Sequence, residues 1–96
     1  MNLICKAIRE RRLLEFQYHG KLRVVAPYCH GTSTRGIEVL RATEVGGEGT
    51  TAGRGIGKLW AVADMVAPRI LDVPFLPNDP NYNPNDSAMS RIHCRV

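Results

Sequence analysis

The chain has 96 residues, 44% of them hydrophobic and 23% charged, with a formal net charge of +4. That length supports one hydrophobic core and not two, and the balance of apolar to charged residues excludes global disorder. No apolar run reaches the roughly 18 residues of a membrane span, and the opening MNLICKAIRERR turns charged where a secretory signal would carry its apolar stretch, so a cytoplasmic chain without a membrane partner is the expectation.

Residues 2–12 place Leu3, Ile4, Ala7 and Ile8 on one stripe at helical spacing, with Lys6, Arg9, Glu10 and Arg12 turned away. This predicts a short amphipathic helix with Asn2 as its N-cap. From Leu14 the period changes to two: Leu14, Phe16 and Tyr18 alternate with Glu15, Gln17 and His19, the pattern of a half-buried strand. His19-Gly20 reads as a hairpin turn. KLRVVAPY resumes strand character up to Pro27, whose missing N–H belongs at an edge or a strand end. A turn between Gly31 and Gly36 leads into GIEVLRATEV, apolar on both faces as in a central strand or a barrel wall.

Residues 46–57, GGEGTTAGRGIG, hold six glycines and no apolar pattern, which predicts a flexible loop. A phosphate-binding P-loop ending at Gly57-Lys58 would need glycine at 52 and Ser or Thr at 59; the chain has Ala52 and Leu59. KLWAVADMV reads as a further strand, so the strands as a group are expected over residues 14–67. Residues 74–86, PFLPNDPNYNPND, carry four prolines and read as an extended arm held down by Phe75, Leu76 and Tyr82. Residues 87–96 recover β character as a closing strand.

Cys5, Cys29 and Cys94 are odd in number and widely spaced, which suits neither a disulfide framework nor zinc-ligand spacing. Reduced thiols, no bound metal and no cofactor are expected. Neighbouring strand residues point to opposite faces, so Cys29-His30 and His93-Cys94 are not expected to converge as ligands. Nothing organises a nucleophile with a base either, since Cys29 and His30 are adjacent rather than facing, and paired-carboxylate and G-x-S-x-G patterns are absent from the sequence. A non-enzymatic role follows.

Charge is uneven. Residues 1–41 hold Lys6, Arg9, Arg11, Arg12, Lys21, Arg23, Arg35 and Arg41 against Glu10, Glu15 and Glu38, whereas acidic residues slightly outnumber basic ones in 42–96. Such asymmetry points to an anionic partner, nucleic acid or a nucleotide.

The order of helix, strand, Y-x-G turn, R-x-V-x-P strand, G-x-x-x-L-R-A strand and K-L-W-x-V strand resembles the WYL domain of bacterial transcription regulators over residues 3–67. The likeness rests on Ala7-Ile8, Arg12, Phe16, Tyr18, Gly20, Arg23, Val25, Pro27, Gly36 and Leu40; the tripeptide that names the family falls on Glu38-Val39-Leu40. The resemblance implies a mainly β fold, a small Sm-like or SH3-like β-barrel of about five strands with a short N-terminal helix. It also implies a ligand-sensing role in transcription regulation. Tyr18 and Tyr28 could stack a base, Arg23 and Arg41 could grip phosphate, and His30 and Lys58 complete the candidate ligand- or nucleic-acid-binding set. The alternative is an interaction module that forms a homodimer or docks on a separate DNA-binding regulator.

Overall fold

A computed structural model describes residues 3–47 and 58–96. Its elements are α1 (Leu3–Glu10), β1 (Arg12–Tyr18), β2 (Lys21–Ser33), β3 (Glu38–Gly47), β4 (Lys58–Ala61), a 3₁₀ turn (Val62–Asp64), β5 (Met65–Pro74) and β6 (Met89–Arg95). The expected Asn2 cap and the body of the glycine-rich loop, residues 48–57, lie outside the described residues.

The helix forms where its apolar stripe predicts, burying Ile4, Cys5, Ala7 and Ile8 against β1, β2, β5 and β6. It ends at Arg11, which adopts a left-handed φ of 54° and donates its backbone N–H to the Ile8 carbonyl at 3.2 Å, an end of the type seen when one residue turns out of the helix. β1 and β2 are joined through His19 (φ 51°) and Gly20 (φ 79°). Two consecutive left-handed residues are what a tight hairpin between right-twisted strands requires.

The sheet is antiparallel, ordered β4-β3-β2-β1-β5, with β6 added on β2. β2 organises it. β3 pairs along nearly the whole of one edge, while the other edge is shared by β1 over residues 21–25 and β6 over 29–33. Pro27, expected at an edge or an end, is instead buried in mid-strand. It falls where β1 has left and β6 has not begun, next to the register shift between Pro27 and Cys29, so its missing N–H costs no ladder bond.

The principal core joins helix to sheet through Ile8, Leu14, Phe16, Val25, Leu40 and Trp60. Trp60 and Leu14 are fully buried, and Phe16, Tyr18 and Trp60 meet edge to face with centroids 4.9–5.9 Å apart, a favoured aromatic arrangement. A second cluster sets Tyr28 and Ala26 against Phe75 and Tyr82. The arm is thereby held to the sheet, as Phe75 and Tyr82 were expected to do, whereas Leu76 is 77% exposed.

The barrel expected from the family resemblance does not close: the sheet is open. The segment read as one strand over Lys58–Val66 breaks into β4, a 3₁₀ turn and β5, and β5 continues to Pro74. β4 is only four residues long and β5 pairs with β1 alone. Across this corner the Tyr18 hydroxyl accepts the Ala61 N–H at 3.1 Å. β5 carries Pro68 after Ala67 (φ 51°), tolerable because an edge strand need not donate every N–H.

At Gly31, β6 lies directly over the position a Cβ would occupy. A Cβ built there would overlap the Arg91 carbonyl oxygen and come within 2.8 Å of Met89 Sδ. Gly31→Ala should push β6 off β2 and cost about 1–3 kcal/mol, read as a lower denaturant midpoint, whereas Gly46→Ala, whose Cβ would sit 3.6 Å from Val24, should cost much less.

Candidate functional site

The residues singled out by sequence do not assemble into one site; the structure distributes them over several places. Tyr18 is buried, its ring in the aromatic core and its hydroxyl on Ala61. Arg23 reaches over Trp60, 5.8 Å from the ring centre, and pairs with the buried Glu44 at 3.1 Å. Tyr28 is buried on the arm side, and its hydroxyl accepts the Asp79 N–H at 3.2 Å. Arg41 grips Asp86 through two guanidinium nitrogens at 2.7 and 3.2 Å. His30 lies under the helix, 1% exposed. Lys58 opens β4, and its side chain lies outside the described residues.

The Arg41–Asp86 pair explains an arginine in an otherwise apolar strand. Asp86 also accepts the Ala88 N–H at 3.0 Å, so one carboxylate fixes both the end of the arm and the approach to β6. The hydrogen bonds from Arg41 hold its carboxyl below the usual carboxylate range despite burial. Close by, Cys29 is buried and donates its thiol to Met89 Sδ at 3.6 Å. Burial, with the Asp86 charge, pushes that thiol up to about 11, which makes it a poor nucleophile.

A group of reactive side chains lies elsewhere, under the helix. Cys5 of α1 and Cys94 of β6 form a disulfide, correcting the expectation of reduced thiols throughout. Odd number and a separation of 89 residues gave no local signal for this pairing. His30 Nδ1 stands 3.4 Å from Cys5 Sγ and 3.8 Å from Cys94 Sγ, while its Nε2 lies 2.5 Å from Glu38 Oε2. An ionised carboxylate can only accept, so Nε2 carries the proton and Nδ1 turns its lone pair toward the sulfurs. Burial lowers the His30 pKa against the opposing effect of Glu38, favouring the neutral ring.

His30 and Cys94 converge because they are direct register partners across β2 and β6, and a bulge in β6 follows that pair. His30 pairs with Cys94, but the next register pair is Gly31 with Ile92, leaving His93 as an extra residue. The bulge re-aims the strand. His93 therefore comes to 3.0 Å from Thr32 through its Nε2 and sets its ring 5.2 Å from that of His30, while Cys94 faces the same histidine. Cys29, by contrast, lies on the opposite face of β2 from His30, as alternation requires, and packs with Val39 and Met89.

A groove of about 490 Å³ lies between β2, β3 and the arm, lined by Tyr28, Thr43, Val45, Phe75, Leu76 and Asp79 among others. Among the described residues none that lines it is basic, so its chemistry does not suit an anion. No family model, curated protein or solved structure matches the chain.

Asp86→Asn should lower stability by about 1–3 kcal/mol, because it removes the charge that the largely buried Arg41 guanidinium grips. With the folded carboxyl below its ordinary value, the wild-type stabilisation is present above about pH 4 and is lost as pH falls through the folded pKa. Urea titrations from pH 7 to pH 3 should show wild type converging on the flatter Asp86→Asn profile over that acid range.

Proposed function

We propose that the chain is a non-enzymatic, WYL-like regulatory module that binds an anionic ligand, a short single-stranded nucleic acid or a nucleotide, on its surface. The observation that supports this reading is how the charges are divided. Each acidic residue described has an internal partner: Glu10 and Asp72 meet Arg12, Glu15 meets Arg69, Glu44 meets Arg23, Asp86 meets Arg41, and Asp64 and Glu38 meet histidines. Asp79 takes Thr43 and the Asn81 N–H. Lys6, Arg9, Arg11, Lys21, Arg35 and Arg91 are exposed and, among the described residues, have no carboxylate contact.

The excess positive charge is thus external. Arg35, in the turn after β2, and Arg91, opposite Thr32 in β6, stand toward one end of the sheet, where Thr34 N–H meets the Ala88 carbonyl at 3.2 Å. This reading moves the anion contacts from Arg23 and Arg41, which serve the fold, to these surface cations. Among the described residues no helix is long and apolar enough to cross a membrane.

A second reading, an interaction module that dimerises or docks on a DNA-binding regulator, has one specific support: the sheet is open and Val66 and Val73 on its edge strand β5 are 61% and 47% exposed.

Binding of labelled single-stranded DNA and RNA should weaken as salt rises, with a slope of about −0.7 in log–log form per phosphate contacted. Arg35→Ala with Arg91→Ala should reduce both affinity and slope. Arg41→Ala should act through stability instead. Salt-independent or absent binding, together with a concentration-dependent dimer in sedimentation, would transfer the assignment to the second reading.

A further inference from the structure

We propose that Cys5, Cys94 and His30 form a binding site for a thiophilic divalent cation, zinc in the first instance, when the Cys5–Cys94 bridge is reduced. The three ligand atoms lie within 4.8 Å of one another. In a tetrahedral zinc site with Zn–S near 2.3 Å and Zn–N near 2.0 Å, sulfur and nitrogen ligands stand about 3.5 Å apart and two sulfurs about 3.8 Å. His30 Nδ1 already stands 3.4 and 3.8 Å from the two sulfurs. Only the sulfur–sulfur edge must open.

The histidine is the independent indication of a ligand. A disulfide carries no S–H, so Nδ1, with the proton on Nε2, faces two atoms that cannot donate to it. A buried lone pair left in that position is costly, whereas a metal ion at the same place would use it. Glu38 on Nε2 supplies the other half of a carboxylate–histidine–metal arrangement, which fixes the tautomer and raises ligand basicity. The same ligands also join α1 to β6, so cation binding replaces the covalent tie with a coordinate one.

The chemistry balances. A dithiol reductant delivers two electrons and two protons to the S–S bond, becoming a disulfide itself and leaving two thiols. Zn²⁺ then displaces those two protons and binds both thiolates with the neutral imidazole, and water takes the fourth position.

The test uses the full chain reduced by a trialkylphosphine, which ends as the phosphine oxide with oxygen from water, and then freed of reductant without air. Titration with Zn²⁺ should give one equivalent bound and a raised Tm, and Co²⁺ should give thiolate-to-metal charge-transfer absorbance. The oxidised chain should bind neither ion at this site. Cys94→Ser should abolish the charge-transfer band. Glu38→Gln, at a half-exposed position, should weaken affinity about 10–100-fold while the circular dichroism spectrum is kept, and Cys29→Ser should leave one equivalent. A reduced, folded wild-type chain that takes up no Co²⁺ or Zn²⁺ overturns the proposal, as does one-equivalent binding that survives Cys94→Ser. If reduction alone unfolds the chain, the same titration asks whether Zn²⁺ restores the fold; no recovery also overturns it.

Discussion

One strand has to satisfy three others. β2 runs 13 residues, and its second edge must serve β1 first and β6 afterwards. Every residue from Val25 to Gly31 is consequently buried, a run that cannot alternate because both faces are covered, by the helix-side core on one and by the arm on the other. Polar groups within such a strand need partners in fixed places. The bulges, the position of Pro27 and the small size of Gly31 all answer to this requirement, and the rest of the fold is arranged around it.

The covering elements have different means of attachment. α1 is held by its apolar stripe and by the sulfur bridge, an interaction with the sheet that needs no charge. The arm has few apolar residues, and to the packing of Phe75 and Tyr82 it adds directed contacts: the Tyr28 hydroxyl on Asp79, Thr43 on Asp79, and Arg41 on Asp86. Buried ion pairs often contribute little net stability, since desolvation offsets attraction. Their directionality still specifies where a segment with four prolines and little apolar surface must lie.

Much of the fold could be read from local pattern. The helix follows from Leu3, Ile4, Ala7 and Ile8, and the first hairpin from alternation around His19-Gly20. β5 was less legible, because Ala67-Pro68 and Pro74 interrupt MVAPRILDVP and its register on β1 shifts twice. The open sheet was hidden for a related reason, since closure depends on pairings at the far edges and no single segment encodes them. The candidate site was legible least of all. Arg23, Arg41, Tyr18 and Tyr28 were noticed for chemistry that a ligand could use, yet each finds its partner inside the chain. The Cys5, His30 and Cys94 group is assembled from three elements distant in sequence, with Cys94 set opposite His30 by the pairing of β6 on β2. No spacing rule spans that distance.

The bridge between Cys5 and Cys94 makes most of the polypeptide a closed ring. A protease that cut one peptide bond in the Pro/Asn-rich arm would therefore open the ring without releasing a fragment, since the pieces would remain joined through sulfur. In a reducing compartment the same cut would free the segment that contains β6. The thiol state thus decides whether a single nick is a scar the protein carries or a loss of one of its strands.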